Sequence, residues 1–337
     1  GREVPEDKRG AIPPHLAPFY AVEAHSMLEL EPPRHTRLRG LVLRAFTSRR
    51  IAALAPEITA LCHALIDALP EGEFDLLAQF GQRLPVIVIA RLLGVPEDMA
   101  DDLLRWSNAM VGMYMAGRDR AREDAAVAAT EAFVGFMRGY VESRRATPRD
   151  DLISALIAAE AEGEKLSTDE LITTCILLLN AGHEATVHSI GNAVKLLLEH
   201  GTPRAALAPE AIEATVEETL RFDPPLHGFT RWAYDDIEVM GTVIPKGTEV
   251  QLLLAAANRD PGVWEDAGAF RPQRPIKANA SFGAGVHFCV GAPLARMELQ
   301  IALPILFDRL PGLRLSQPPD YGNTYHFHGL TRLMVTR

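Results

Sequence analysis

Cysteine is scarce in this chain. Cys62, Cys175 and Cys289 are the three among 337 residues, and they stand far apart. An odd number at such spacing gives no disulfide framework and fits a reducing compartment. Positive charge is also short. Against 44 Asp and Glu there are 34 Lys and Arg, for a net charge of −10 at pH 7. Nucleic-acid affinity needs a positive field, so DNA- or RNA-binding roles are disfavoured. No uninterrupted apolar run is long enough to span a bilayer. The opening Gly1-Arg2-Glu3-Val4-Pro5 is polar and charged, unlike a signal or transit peptide. The expectation is a cytoplasmic protein with no membrane anchor. No Gly-x-Gly-x-x-Gly follows a strand pattern, so a dinucleotide site of its own is not expected.

What is present is ample apolar content: 47% of residues are hydrophobic, enough for a large core. Residues 1–30 carry Pro5, Pro13, Pro14 and Pro18 without periodicity and read as an irregular segment. From 31 to 337 the pattern is mainly helical. Helices are expected over Arg34–Phe46, Arg49–Leu69, Pro85–Leu93, Pro96–Met115 and Asp119–Ser143. Ser167 and Glu170 form a capping box that opens a helix running to about His200. At 1.5 Å per residue such a helix crosses a whole domain. The next helix is expected from Pro209 to Phe222. Short strand patterns follow at 237–240, 242–244 and 250–254, in a small β region around 226–260. A last helix runs over 292–310, with Pro304 inside it.

The densest chemistry lies in Phe282-Gly283-Ala284-Gly285-Val286-His287-Phe288-Cys289-Val290-Gly291. Glycines let this backbone turn tightly and lie close to a flat ligand. Cys289 stands just before a helix, where amides and the helix dipole favour a thiolate. A lone cysteine is usually a small buried hydrophobe; the glycines, Phe282 and His287 around this one argue for a metal ligand. Zinc is not indicated there, because His287 and Cys289 lack a second ligand pair at the usual spacing.

Four further motifs stand in order. Pro32-Pro33-Arg34-His35-Thr36-Arg37-Leu38-Arg39 puts His35 and Arg39 four apart on a helix. Ala181-Gly182-His183-Glu184-Ala185-Thr186 puts a glycine and an acid inside an apolar helix, where each is locally unfavourable. Glu218-Thr219-Leu220-Arg221 is an i,i+3 ion pair. By itself it reads as a solvated surface pair, because Ile212, Val216 and Leu220 form a stripe on another face. Thr230-Arg231-Trp232-Ala233 is the last.

Together these motifs resemble the cytochrome P450 family over nearly the whole chain from Met27. Every defined position of that family's haem-binding loop, Phe-Gly-x-Gly-x-His-x-Cys-x-Gly, is present. The resemblance implies a mainly α fold with a small β region. It implies haem b (iron protoporphyrin IX) between the long helix and the helix after Cys289, with Cys289 on the iron. Phe282, Gly283 and Gly291 would shape the loop. His35, Arg39, Arg231 and His287 would bind the haem propionates. Glu218 and Arg221 would be buried and locked to Arg274. Glu184 and Thr186 would handle protons. Substrate contacts are expected from Asn180, Ala181, Leu226, His227, Phe229 and the loop Tyr325–Gly329 with Phe327. The implied activity is insertion of one oxygen atom from O2 into a small to medium organic substrate. Electrons would come from a separate ferredoxin-like donor, docking near Arg37, Arg44 and Arg296. A peroxide-driven or non-oxygenating haem-thiolate enzyme and a haem sensor are the rival readings.

The sequence departs from the family twice. Ala185 stands where the family has threonine, and Thr186 follows one place later. One residue is about a 100° turn on a helix, so Thr186 is not expected to reach the same point. The residues before Pro32 are also few. The family's first helix and outer strands are therefore expected to be missing or incomplete, leaving an exposed apolar patch.

Overall fold

The computed structural model describes residues 2–115, 117–159, 163–322 and 327–337. In chain order its helices and strands are α1 (Ala17–Glu23), α2 (Arg34–Ala45), α3 (Ser48–Ala53), α4 (Ala55–Asp67), β1 (Glu73–Asp75), α5 (Arg83–Leu93), α6 (Ala100–Val111), α7 (Arg120–Ala146), α8 (Leu152–Ala158), α9 (Thr168–Glu199), α10 (Ile212–Phe222), β2 (Gly228–Trp232), β3 (Ile237–Val239), β4 (Thr242–Ile244), β5 (Glu249–Leu253), α11 (Leu254–Ala257), α12 (Ala292–Arg309), β6 (Arg314–Leu315), β7 (Asp320–Tyr321), β8 (Leu330–Arg332) and β9 (Met334–Thr336). The fold is mainly α with small sheets, as the sequence predicts.

Three boundaries differ from the sequence reading. The segment 1–30 is not wholly irregular: it holds α1 and short 3-10 turns at Glu6–Lys8 and Pro14–Leu16. The helix expected over Arg49–Leu69 is two helices that meet at Leu54, with Pro56 in the first turn of α4. Proline has no N–H to give and fits a first turn, so it starts a new helix rather than continuing one. The helix α10 begins at Ile212, and Pro209 lies upstream of it.

The chain forms two compact units. The first comprises Gly1–Phe46, Leu93–Asn180 and Gly228–Leu253. Here α6 and α1 pack on α7. Phe19, Trp106, Met110, Phe133 and Met137 are buried, and the Trp106 and Phe133 rings lie 5.3 Å apart. Two buried charges tie the loops: Arg144 pairs with Asp151 and donates to the Gly94 carbonyl at 2.9 Å. Asp151 also caps α8 through the Ser154 amide. Strands β2 and β5 pair antiparallel, Gly228 against Leu253 and Trp232 against Glu249. The hairpin β3–β4 stands beside them in sequence. Met240, Val243 and Leu253 are exposed on these strands and their turn.

The second unit comprises Thr47–Leu92, Ala181–His227 and Leu254–Arg337. Here α12 packs on α4 and α10. Ile58 and Ile66 on α4 and Leu299, Leu303 and Leu306 on α12 are buried, each worth about 1.5–3 kcal/mol of transfer from water. A three-stranded sheet runs β1-β9-β6, and β7 pairs with β8. The sequence reading missed these strands, because two or three residues show no periodicity.

The long helix α9 passes from one unit into the other. Its capping box is formed as expected. Ser167 Oγ accepts from the Glu170 amide at 3.2 Å, and the Glu170 carboxylate accepts from the Ser167 amide at 2.9 Å. Two orphan donors of the first turn are thereby satisfied.

Candidate functional site

In the second unit, α10 is buried on faces that its apolar stripe alone would leave to solvent. Glu218 and Arg221 are both almost inaccessible. Arg221 holds both Glu218 oxygens, at 2.7 and 2.9 Å. Its remaining donors go to the carbonyls of Asn258, Ala267 and Ala269. Arg274 adds a bond to Glu218 at 3.0 Å, and the Arg271 amide adds another at 2.8 Å. The coil 258–274 therefore wraps around the pair and covers it. The burial implied by the family motif is correct, and the surface reading from the helical wheel is wrong. A buried carboxylate is tolerable only when its lone pairs are filled, and here they are.

This hub continues into the cysteine loop. Asn258 Nδ2 donates to Ser281 Oγ, and Ser281 Oγ donates to the Leu220 carbonyl, each at 2.8 Å. Glu217, one residue before Glu218, accepts from Asn279 and from Arg296 of α12. The Arg296 guanidinium lies 4.5 Å over the Phe282 ring. Sequence reading missed Glu217, Asn258, Asn279 and Ser281, because their partners are dozens of residues away. The loop itself turns at Gly283 and Gly285, both with φ +68°. Only glycine takes that region without strain. The Cys289 amide donates back to the Phe282 carbonyl at 3.0 Å. This places Cys289 at the mouth of α12, close to the helix's N-terminal amides.

On α9, Gly182, Glu184 and Thr186 lie in the same unit. Gly182 faces Ile89 of α5: a Cβ there would sit 3.3 Å from the isoleucine Cδ1. Helix packing, rather than approach of a ligand, explains this glycine. Glu184 lies between two imidazoles, 3.2 Å from His183 Nε2 and 3.4 Å from His188 Nε2. Burial alone would raise its carboxyl. The hydrogen bonds and charges of His183 and His188 outweigh that and hold it well below the usual carboxylate range. The Thr186 hydroxyl donates to the Gly182 carbonyl at 3.0 Å, and the Ser189 hydroxyl donates to the Ala185 carbonyl at 2.8 Å. Thr186 thus bonds to its own helix. His188 was missed, although its i+4 spacing from Glu184 was a usable signal.

The other sequence-predicted residues divide between the units. In the first, His35 is buried on α2, with Arg39 half-buried one turn later. Arg231, on β2, is half-buried and makes no ion pair among the described residues; its bond is to the Thr230 carbonyl. Burial and the nearby Arg2 charge hold its guanidinium below the usual range. Phe229 lies 5.7 Å from it. Asn180 Oδ1 is buried with no hydrogen-bond partner among the described residues. In the second unit, Leu226 and Phe327 form a β-bridge. His227 is exposed beside them. Residues 323–326 of the predicted substrate loop lie outside the described residues.

The predicted docking arginines differ in their surroundings. Arg37 is paired with Glu164 and Glu170, and Arg296 with Glu217. Both charges are neutralised within the protein. Arg44 is exposed and makes no ion pair among the described residues.

Comparison with known proteins settles the family. The cytochrome P450 family model matches residues 113–320. Cytochrome P450 107B1 of Saccharopolyspora erythraea is 40% identical over 318 residues, covering 93% of this chain and 75% of that protein. The chain belongs to the cytochrome P450 family. Another P450 relative, 6-deoxyerythronolide B hydroxylase of the same organism, is 39% identical over 301 residues, covering 88% of this chain and 73% of that protein. The solved structure of the polyketide synthase cytochrome P450 PksS of Bacillus subtilis superimposes with a TM-score of 0.88 at 34% identity, covering 96% of this chain and 83% of that one. The protein is a P450 monooxygenase with haem as its cofactor. No helix among the described residues is long and apolar enough to cross a membrane.

The residues of this P450 fit haem. Cys62 and Cys175 are buried, and burial pushes each thiol up to about 12, which disqualifies them as thiolate ligands at neutral pH. Cys289 is the exposed cysteine. The loop before it also exposes Val286 and Phe288, at 52% and 38%. An apolar loop ending in an accessible thiol is what a flat apolar macrocycle with a metal centre would cover.

Proposed function

We propose that this P450 hydroxylates a mid-sized, largely apolar substrate bearing a few oxygen functions, of the polyketide class, with electrons delivered by a separate ferredoxin-like protein. The observation that carries the haem assignment is Cys289, an accessible sulfur at the start of α12 on a glycine-turned loop. The substrate class is supported by relatives named for 6-deoxyerythronolide B and for polyketide synthesis. It is also supported by the kinds of residue offered: apolar Leu226, Phe229 and Phe327, together with Asn180, whose buried Oδ1 has no partner among the described residues, and exposed His227. Apolar walls with one or two polar anchors suit such a molecule.

When bound, haem supplies reductive activation of O2, and a thiolate ligand favours O–O cleavage. The protein's own share is placement and proton handling. Cys289 donates its sulfur. To His35, Arg39, Arg231 and His287 we assign the haem carboxylates; an arginine without a carboxylate partner supports this for Arg231. Glu184 is the acid that takes and gives protons in the groove. Ala185 has no hydroxyl to assist, and the hydroxyls of Thr186 and Ser189 are bound to helix carbonyls. Protons therefore reach the Glu184 carboxylate through His183 and His188, whose Nε2 atoms are the polar groups flanking it.

The test is the absorption spectrum of the reduced, CO-bound protein. A strongly red-shifted Soret band is expected, and its loss in Cys289→Ser. A colourless protein after haem is supplied, or an unaltered spectrum in the variant, refutes the assignment. Turnover with peroxide alone, and none with ferredoxin and reductase, would instead support the peroxide-driven reading that Ala185 favours.

A further inference from the structure

Away from the cysteine loop, Asp223, His227 and His328 converge. One carboxylate oxygen and two imidazole nitrogens lie within 4.8 Å of one another. Asp223 closes the C-terminus of α10, His227 precedes β2, and His328 precedes β8. The two stretches of chain are fastened together at the backbone. The buried Asn192 side chain donates to the carbonyls of both Asp223 and His328, at 3.2 and 3.0 Å. The His328 amide donates to the Pro225 carbonyl at 2.8 Å, and Leu226 bridges Phe327.

The carboxylate is held from behind. Asp223 Oδ2 accepts from Tyr321 Oη at 2.6 Å and from Lys195 Nζ at 3.0 Å. Oδ1 faces His328 Nε2 at 3.0 Å. One oxygen is thus anchored and the other is presented to the imidazoles, the arrangement that supporting hydrogen bonds give a metal-binding carboxylate. The Lys195 charge is shared with Glu199, 3.8 Å away, so it is not left to oppose a cation alone. His328 is sandwiched between Tyr321, at 4.1 Å, and His227, at 4.0 Å. His227 is the exposed member. One of its ring nitrogens lies within 4.8 Å of ligand atoms of both Asp223 and His328.

We propose that Asp223, His227 and His328 form a binding site for a divalent late first-row cation, zinc above all. Two imidazoles and one carboxylate suit zinc and its neighbours, whereas magnesium and calcium prefer all-oxygen sets. The exposed side leaves room for water as a fourth ligand. A bound ion would staple residues 223–227 to 327–328. This inference does not depend on the substrate proposed above.

The holoenzyme, dialysed against micromolar Zn2+ with excess Mg2+ and analysed for zinc and iron, tests it. Iron counts haem-loaded chains. One zinc per iron is expected. His227→Ala should bring zinc per haem-loaded chain to background. His227→Cys, which restores a zinc ligand, should bring the zinc back. Tyr321→Phe, which removes a supporting bond, should weaken binding by about tenfold or more. No zinc on the unaltered protein, or stoichiometric zinc that survives His227→Ala, overturns the site.

Discussion

Arg221 grips both oxygens of Glu218 from one turn away on the same buried helix, and its other N–H groups fasten three carbonyls of the coil that leads to the cysteine loop. Removing one partner leaves the other charged and out of water. Glu218→Gln is expected to cost about 3–5 kcal/mol, read as a lower urea midpoint. Arg221→Lys should do the same, since an ammonium cannot reproduce the fork. Faster haem loss should accompany both, because Ser281 and Asn258 tie this hub to the loop bearing Cys289. Stability within error of the unaltered protein would contradict the account.

Glu184 owes its ionised state to two imidazoles. Replacing His188 with Leu removes one of them, so burial gains weight and the carboxyl should titrate at higher pH. Infrared bands assigned by comparison with Glu184→Gln would show the shift directly. The pH profile of product formed per electron should move the same way. Ala185→Thr, which supplies the missing hydroxyl, should change that ratio. An unchanged ratio and rate would mean the hydroxyl plays no part here.

Glu23 gives a pH-dependent stability. Burial and the charge of Glu29 raise its carboxyl from 4.5 to about 7, against the Tyr114 hydrogen bond and Arg2. The folded state then holds a proton that the unfolded state releases. Stability should fall as pH rises from about 4.5 to about 7 and level off above. The loss is of order 3 kcal/mol. Glu23→Gln keeps an acceptor for Tyr114 and should flatten this slope in urea titrations across that window. A slope identical in the variant would assign the effect elsewhere.

Arg44 is the remaining candidate from the predicted docking set. Charge reversal to Glu should slow reduction by an acidic ferredoxin and flatten its salt dependence. The same change at Arg37 should act mainly on its pairs with Glu164 and Glu170. Stopped-flow reduction at several salt concentrations separates the two.

Much of this protein is legible along the chain where the signal is local. The Ser167–Glu170 capping box formed both of its bonds. Periodicity located the longer helices, misjudged some of their breaks, and passed over the short helices α1, α8 and α11. Burial of Glu218 and Arg221 was a different matter. Their helical wheel pointed to solvent, and only the family motif pointed inward.

The sequence by itself determined the helical framework, the glycine-turned loop with Cys289, and membership of a haem-binding family. Each rests on contacts between residues a few places apart, or on a motif contiguous in the chain. Only the tertiary structure decided that coil 258–274 covers the Glu218–Arg221 pair, and that Asp223, His227 and His328 meet. Those outcomes depend on segments dozens of residues apart, and in the last case more than a hundred, arriving at one place. Backbone propensity and local spacing carry no record of that arrival, because it is set by which faces pack and by which buried polar groups must find partners.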